Sequence, residues 1–407
     1  MTLSYDTPQF WNFVRDHIHD DPKALRLKYH NRDTDGDIDY PLAITQIECR
    51  AKFGSKLRET LRQDPEFVFA NELAGEQSTS DALAGFHATL AADARHITDM
   101  TCGLGIDAMH LAAGGAEVTA IDCQEPLIKA LKFNCSNLKI GNLTALCGDS
   151  VEMLRSGELN GDVLFIDPAR RAADGSRVFS VDQCRPDVTA LIPGIRRHFR
   201  TLVAKLSPML DFTLTMRTFA PELTRICITG TRTECKELVC VADFGAETAE
   251  DECPIDCVTL SDGRTEIFRF TRAEESLSPV PKYATPAVGD VVYELWPTVI
   301  KAAPMKTLCA RFPGLHKLSA NTHIFFSSDK IEDVPAETRT IEAIIPWQSK
   351  NLKRLKSLYP VIDIAVRNFG MTAAELQKKL GTRQGGERRL LAVTDSHGSR
   401  LLLILKR

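Results

Sequence analysis

Between residues 96 and 168 a succession of short apolar runs ends in aspartates, and the first is followed by a glycine-rich turn, DMTCGLGIDA at 99–108. The runs read HITDM, EVTAID, LTALCGD and VLFIDPA, and TLVAKLS is next in line. Helical stretches separate the early ones, notably over 107–113 and 125–138. Strands separated by helical crossovers imply a mostly parallel sheet, so the spacing predicts an α/β domain of Rossmann-like type. Further β-rich runs, RICITGT, KELVCVADF and TEIFRF, close that domain near Thr271.

The turn restricts the ligand as well as the fold. Gly103 and Gly105 let the backbone bend sharply and approach a ligand that a Cβ would exclude. Gly103, Gly105 and Ala108 with an acid further on also satisfy the dinucleotide fingerprint, in which a pyrophosphate sits on a helix N-terminus. Asp99, however, lies just before the glycines, where an anion repels pyrophosphate and attracts the cationic amino-methionine end of S-adenosylmethionine. Asp122 can accept both ribose hydroxyls of an adenosine, and Asp149 can accept the adenine amino group. With Asp167-Pro168 after the fourth run, the series selects S-adenosylmethionine over a nicotinamide cofactor. Thr101 and Asp107, in the same segment, join the expected cofactor residues.

A chain of 407 residues exceeds one ordinary core. An N-terminal helical region is expected over 1–70, containing PLAITQIECRAKFGSKLRETL at 41–61 with helical spacing of its apolar residues. Just before it, Asn31, Asp33, Asp35, Gly36 and Ile38 imitate a calcium loop, but Leu42 stands where a bidentate Glu is required, so an Asp-rich turn is the reading. The catalytic domain is expected over 71–275, and the Pro- and Ser-rich SLSPVPKYATP at 276–286 reads as a linker. A small mixed segment follows over 283–335. The last part, 336–407, gives a helix, TAAELQKKLG, and a β pair turning at His397-Gly398. This end carries 14 lysines and arginines against 6 acids, whereas the preceding 335 residues carry 36 against 48. A basic end on an acidic body points to a polyanionic partner.

No stretch approaches the ~18 uninterrupted apolar residues of a membrane span, and MTLSYDTPQF lacks the basic and apolar parts of a leader. The expectation is a cytoplasmic protein without membrane contact. Twelve cysteines contain no CxxC pair. Cys235, Cys240, Cys253 and Cys257 are too loosely spaced for zinc, and reduced cytosolic thiols account for them.

The stretch from 76 to 179 resembles class I S-adenosylmethionine methyltransferases acting on RNA. Within it, EQSTSDALAGFHATLA at 76–91 is similar to the cofactor-capping segment of the RNA-cap trimethylguanosine synthases. That resemblance implies that Gln77 and Ser80 contact the methionine end, beside the alternative that Ser80 simply caps a helix. The whole chain resembles a bacterial family with this catalytic domain, a ferredoxin-like segment and a C-terminal THUMP-like domain. Its motifs here are VVYELWPTVIKA at 291–302, KLSANTHIF at 317–325 and AVRNFGMTAAELQKKLG at 365–381. THUMP modules bind RNA, chiefly tRNA, so the resemblance implies tRNA as partner through the basic C-terminal segment. Lys350, Lys353, Arg354 and Lys356 cluster there, as do Arg383, Arg388 and Arg389.

Asp167, Pro168 and Arg170 are the expected catalytic residues. Asp167-Pro168-Ala169-Arg170 departs from the Asn/Asp-Pro-Pro-aromatic pattern that stacks an adenine. It is nearer to the Asp-Pro-Pro-Arg of RNA carbon-5 pyrimidine enzymes, which need a nucleophilic cysteine after the next strand. That strand ends here in Ser207-Pro208, and Cys184 reads as a buried structural thiol. Asp167 is left to orient or deprotonate the acceptor, while Arg170 and Arg171 hold a phosphate or face solvent. A protein-methylating enzyme, or an RNA-binding protein with a vestigial cofactor site, are the alternatives.

Overall fold

Strands form where the apolar runs predict them: β1 (His96–Asp99), β2 (Glu117–Asp122), β3 (Leu143–Cys147), β4 (Gly161–Ile166) and β5 (Phe199–Leu206). β1 pairs in parallel with both β2 and β4, β2 with β3, and β4 with β5. β6 (Leu223–Gly230) and β7 (Cys235–Asp243) follow, and β7 lies antiparallel against β5 with Thr201 opposite Asp243. Among these strands the order is β6-β7-β5-β4-β1-β2-β3. The computed structural model describes residues 5–30, 32, 34–35, 38–169, 181–261 and 263–406, with the side chains of 35, 183 and 353 outside that set. Asn31, Asp33 and Gly36 of the calcium-like turn, and Arg170 and Arg171, therefore lie outside the described residues. The described residues divide into a first unit, 1–226 with 237–248, and a second, 227–236 with 249–407.

In the first unit the N-terminal helices are α1 (Pro8–Asp16), α2 (Pro22–Lys28), α3 (Tyr40–Phe53) and α4 (Arg58–Gln63). Thr7, Asp21 and Asp39 cap the first three through side-chain oxygens, and a proline fills an early position of each, where no N–H partner is lost. The helix expected over 41–61 breaks at Gly54, which places Lys56 in the connection. Next come α5 (Glu72–Gln77) and α6 (Asp81–Leu90), then the crossover helices α7 (Ile106–Ala113), α8 (Glu125–Asn137), α9 (Ser150–Ser156), α10 (Val188–His198) and α11 (Phe212–Phe219). Phe10, Trp11, Ile44, Ile47 and Val68 pack with Ala130 of α8 in one core. Asn134 of α8 fixes this contact by accepting from the Val68 N–H at 2.7 Å and donating to its carbonyl at 3.1 Å. The helical region is thereby tied to the sheet's own crossover.

The second unit holds the hairpin β8 (Ile255–Ser261) and β9 (Arg264–Phe270), then α12 (Arg272–Leu277). Of the stretch 71–275 expected as the catalytic domain, 227–236 and 249–275 fall in the second compact unit. Beyond the linker come β10 (Val291–Leu295), α13 (Pro297–Ala302), α14 (Met305–Arg311), β11 (His316–Lys317), β12 (Phe325–Ser327), β13 (Ala336–Pro346), α15 (Ser349–Leu358), β14 (Asp363–Arg367), α16 (Ala373–Leu380), β15 (Arg389–Thr394) and β16 (Arg400–Lys406). They build one seven-stranded sheet, β11-β12-β10-β13-β16-β15-β14, so strands from 283–335 and from 336–407 share it. RLLAVT and RLLLILK are nearly continuous apolar runs because the sheet is covered on both sides. Leu391, Val393 and Leu403 enter one core, while Leu390, Ala392 and Leu402 enter the other beneath α15 and α16. No helix among the described residues is long and apolar enough to cross a membrane.

Candidate active site

Parallel pairing brings the C-terminal ends of β1, β2 and β4 side by side, and with them the aspartates that end the runs. After β1 the chain turns through Gly103 at φ +53° and Gly105 at φ +83°, the left-handed region that glycine enters without strain. A Cβ on Gly105 would also meet the Leu131 side chain of α8, which would have to shift. Among the described residues nothing lies within 4 Å of the corresponding position on Gly103, which leaves room there for a ligand. Asp122 holds the turn's shape: its carboxylate accepts from the Gly103 N–H at 3.1 Å and the Gln124 N–H at 2.8 Å. Asp149 is exposed and caps α9 through Oδ1, bonded to the Val151 and Glu152 amides.

Asp99 is 1% exposed. Its Oδ1 accepts from the Thr101 N–H at 3.0 Å, and its Oδ2 is buried with no partner among the described residues. Burial pushes its carboxyl up to about 8. A buried carboxylate oxygen awaiting a donor, next to an open glycine turn, suits the amino group of S-adenosylmethionine. The residues present therefore fit that cofactor: Asp99 for the amino group, Gly103 and Gly105 for close approach, Asp122 for the ribose. Thr101 bridges to the acceptor side, its hydroxyl accepting from the Asp167 N–H at 2.7 Å.

Gln77 ends α5 and is exposed, while Ser80 caps α6, its hydroxyl accepting from the Leu83 N–H at 3.4 Å. The loop between them is held by residues that sequence reasoning did not single out. Lys56 donates to the carbonyls of Glu76 at 2.8 Å and Ser78 at 2.7 Å. Asp81 accepts from the amides of Glu59 and Thr60. The N-terminal helical region is thus the frame on which the 76–81 segment is mounted.

Asp107 is buried and belongs to a charged cluster rather than to the open turn. Burial pushes its carboxyl up, but Lys205 and His87 outweigh that and hold it far below the usual carboxylate range. The Thr79 hydroxyl donates to its Oδ2 at 2.5 Å. Asp167, at the end of β4, sits with Oδ2 at 2.6 Å from Lys205 Nζ, and Pro168 beside it is buried. Burial raises the Asp167 carboxyl, opposed chiefly by Lys205. The cluster's other members, Thr79, His87, Lys205 and Glu237, were missed. The available signal was a lysine inside the otherwise apolar run TLVAKLS and a histidine on an apolar helix.

The cysteine chemistry of the carbon-5 enzymes has no counterpart among the described residues. Ser207 occupies the end of β5, and its hydroxyl accepts from the Met209 N–H at 3.3 Å. Cys184 is 2% exposed, and burial pushes its thiol up to about 11, away from a nucleophilic thiolate.

Five parallel strands followed by β7 antiparallel to β5, with acids at successive strand ends and a glycine turn after the first, form the framework of the site. The chain carries a Rossmann-like sheet of the methyltransferase type with a small C-terminal α+β part, and its strand-end acids and glycine turn fit S-adenosylmethionine. Comparison with known proteins agrees. Residues 340–407 match the family described as THUMP domain-like. The crystal structure of a methyltransferase candidate from Porphyromonas gingivalis W83 superposes with a TM-score of 0.84 at 26% identity, over 98% of this chain and 97% of that one. The 23S rRNA (uracil(747)-C(5))-methyltransferase RlmC of Vibrio vulnificus (strain YJ016) is 28% identical over 92 residues, 23% of this chain and 24% of that enzyme. The match thus spans about a quarter of that relative's length.

Proposed function

We propose that this protein transfers a methyl group from S-adenosylmethionine to a nucleotide in RNA. The observation that carries the chemistry is Asp167: one carboxylate oxygen is fixed by Lys205 at 2.6 Å and the side chain is 30% exposed, at the strand end next to the cofactor turn. When bound, the cofactor supplies an electrophilic methyl on a sulfonium. The protein's part is alignment: the 76–81 segment, Asp99 and Asp122 hold the cofactor, and the free oxygen of Asp167 orients the acceptor and takes its proton. Arg170, next in the motif, is proposed to steady the acceptor phosphate. Without a cysteine after β5, attack through a covalent carbon-6 adduct is disfavoured.

RNA as substrate rests on the THUMP-like C-terminus and on the activity of the Vibrio relative. The charge pattern of the second unit supports it and narrows the contact surface. Arg388 pairs with Glu342, and Arg389 with Glu294 and Glu337, so these two arginines after the glycine-rich turn are partly neutralised. Lys350, Arg354 and Lys356 of α15 and Lys378 and Lys379 of α16 are exposed, and no ion pair joins them among the described residues. Multiple unpaired cations on neighbouring helices suit a phosphate backbone, where released counterions drive binding. Structured RNA read by shape fits such a surface, and tRNA is the favoured class. Ribosomal RNA is the second reading, supported by the 92-residue match to RlmC.

The test is nucleoside mass spectrometry of tRNA and rRNA from cells with and without the gene. One methylated nucleoside should vanish from tRNA and return when the purified chain and cofactor are added. Identical nucleoside profiles in both fractions would remove RNA as the substrate.

A further inference from the structure

A charged lysine inside a buried strand is costly unless its charge is met. Lys205 is 3% exposed, and its ammonium makes three contacts: Asp167 Oδ2 at 2.6 Å, Thr79 Oγ1 at 2.7 Å and Asp107 Oδ2 at 3.2 Å. Asp107 turns its other oxygen to His87 Nδ1 at 2.7 Å, and His87 Nε2 meets Glu237 Oε1 at 2.6 Å. Two carboxylate acceptors call for both ring nitrogens to carry protons. Burial by itself would lower the imidazole, but Glu237 and Asp107 outweigh it and raise it to about 9. Charge therefore alternates along one row: Glu237, His87, Asp107, Lys205, Asp167.

Two features separate this row from an ordinary core ion pair. Four members are essentially closed to solvent, while the Asp167 side chain at its end is 30% exposed. The row also takes in the Thr79 hydroxyl, between Gln77 and Ser80, so the expected cofactor segment and the acceptor carboxylate grip the same ammonium. Stability does not account for it, because well-packed apolar residues commonly serve as well as buried ions.

We propose that Lys205 is a positioning residue for methyl transfer, holding one oxygen of Asp167 so that the other faces the acceptor, with Asp107, His87 and Glu237 fixing Lys205 in place. This rests on the reading of Asp167 given above. A consequence is visible in the pH dependence. Asp107 and Glu237 face Asp167 with like charge, Asp99 joins them only once it ionises near pH 8, Cys184 lies near it, and Lys205 is the cation that opposes its burial. With Lys205 removed, Asp167 keeps its proton to higher pH.

The experiment measures tritium transfer from labelled S-adenosylmethionine to total RNA of cells lacking the gene. Wild type is compared with Lys205→Met, Lys205→Arg and the double variant Lys205→Met/Asp107→Asn. Lys205→Met should lose about 100-fold in kcat, with S-adenosylhomocysteine affinity within about threefold and the acid limb of the profile moved up. Lys205→Arg should recover about tenfold of that loss. The double variant removes the surplus buried anion, so it folds if Lys205→Met does not, and it should remain slow. A folded variant with kcat within about threefold of wild type, or one slowed with an unmoved acid limb, overturns the proposal. If wild type labels no RNA, the RNA reading fails by itself, and the row is tested by NMR of the nitrogen-15-labelled ammonium. A slowly exchanging Lys205 signal at neutral pH, lost in Asp167→Asn, supports the row, and its absence overturns it.

Discussion

Lys205 in the first unit has every ammonium proton engaged by Thr79, Asp107 and Asp167, whereas Lys350, Arg354 and Lys356 in the second stand exposed without an ion pair among the described residues. The contrast shows how surroundings set what a charge can do. In a low-dielectric interior an uncompensated ion costs several kcal/mol, so each member of the buried row depends on its neighbours' identity and placement. On the surface, water and salt reduce one charge to a few tenths of a kcal/mol, and only the sum over many phosphate contacts matters. Buried charges should thus fail individually and steeply, exposed ones gradually and collectively.

The sharpest break of that contrast is at Asp167. Asp167→Ala should lower turnover on RNA at least about 100-fold while cofactor affinity stays within a few fold, as read by calorimetry with S-adenosylhomocysteine. Turnover near the wild-type rate would mean that the acceptor is activated elsewhere. Next comes Asp122→Ala, which removes the proposed ribose contact and the clasp on Gly103. Cofactor binding should weaken by ~1.5–3 kcal/mol, roughly 10- to 150-fold, in a chain whose melting is little changed. Undiminished affinity would place the adenosine elsewhere.

A smaller effect follows from Asp99. Its carboxyl, pushed up to about 8, carries a proton at neutral pH and must release it when it pairs with the cofactor's ammonium. Below about 8 that release opposes binding, so affinity should rise with pH, by about tenfold per unit at most, and level off above it. Calorimetry in buffers of different ionisation enthalpy should detect the released proton, and a flat profile would detach Asp99 from the methionine end. Smallest should be Arg354→Gln on α15, which is expected to weaken all RNAs alike and to flatten the log affinity–log salt slope by about 1. An unchanged slope would show this charge to be merely solvated. A loss as steep as that at Asp167 would erase the contrast between the two units.

Much of the cofactor end was legible in the chain because its signals are local. The acids close strands, the glycines follow the first strand, and strand ends must line up once the sheet is parallel. Asp149 illustrates the limit of that reading. The same residue type at the same place also caps α9, and sequence does not separate the two uses. Ser80 shows the same ambiguity. The N-terminal helices were visible by their periodicity, but Lys56 and Asp81 mounting the 76–81 segment were not, since those bonds join residues some twenty positions apart.

By itself, the sequence determined the alternation of strands and helices, the glycine turn with the aspartate series that points to a cofactor class, and the basic end of an acidic chain. These follow from residue type and short-range spacing, which act before any tertiary contact forms. Only the tertiary structure gathered Thr79, His87, Asp107, Asp167, Lys205 and Glu237, and only it set the paired Arg388 and Arg389 apart from the exposed cations of α15 and α16. Pairing of charges depends on distances of a few ångströms between residues far apart in the chain, and those distances exist only once the sheets have closed.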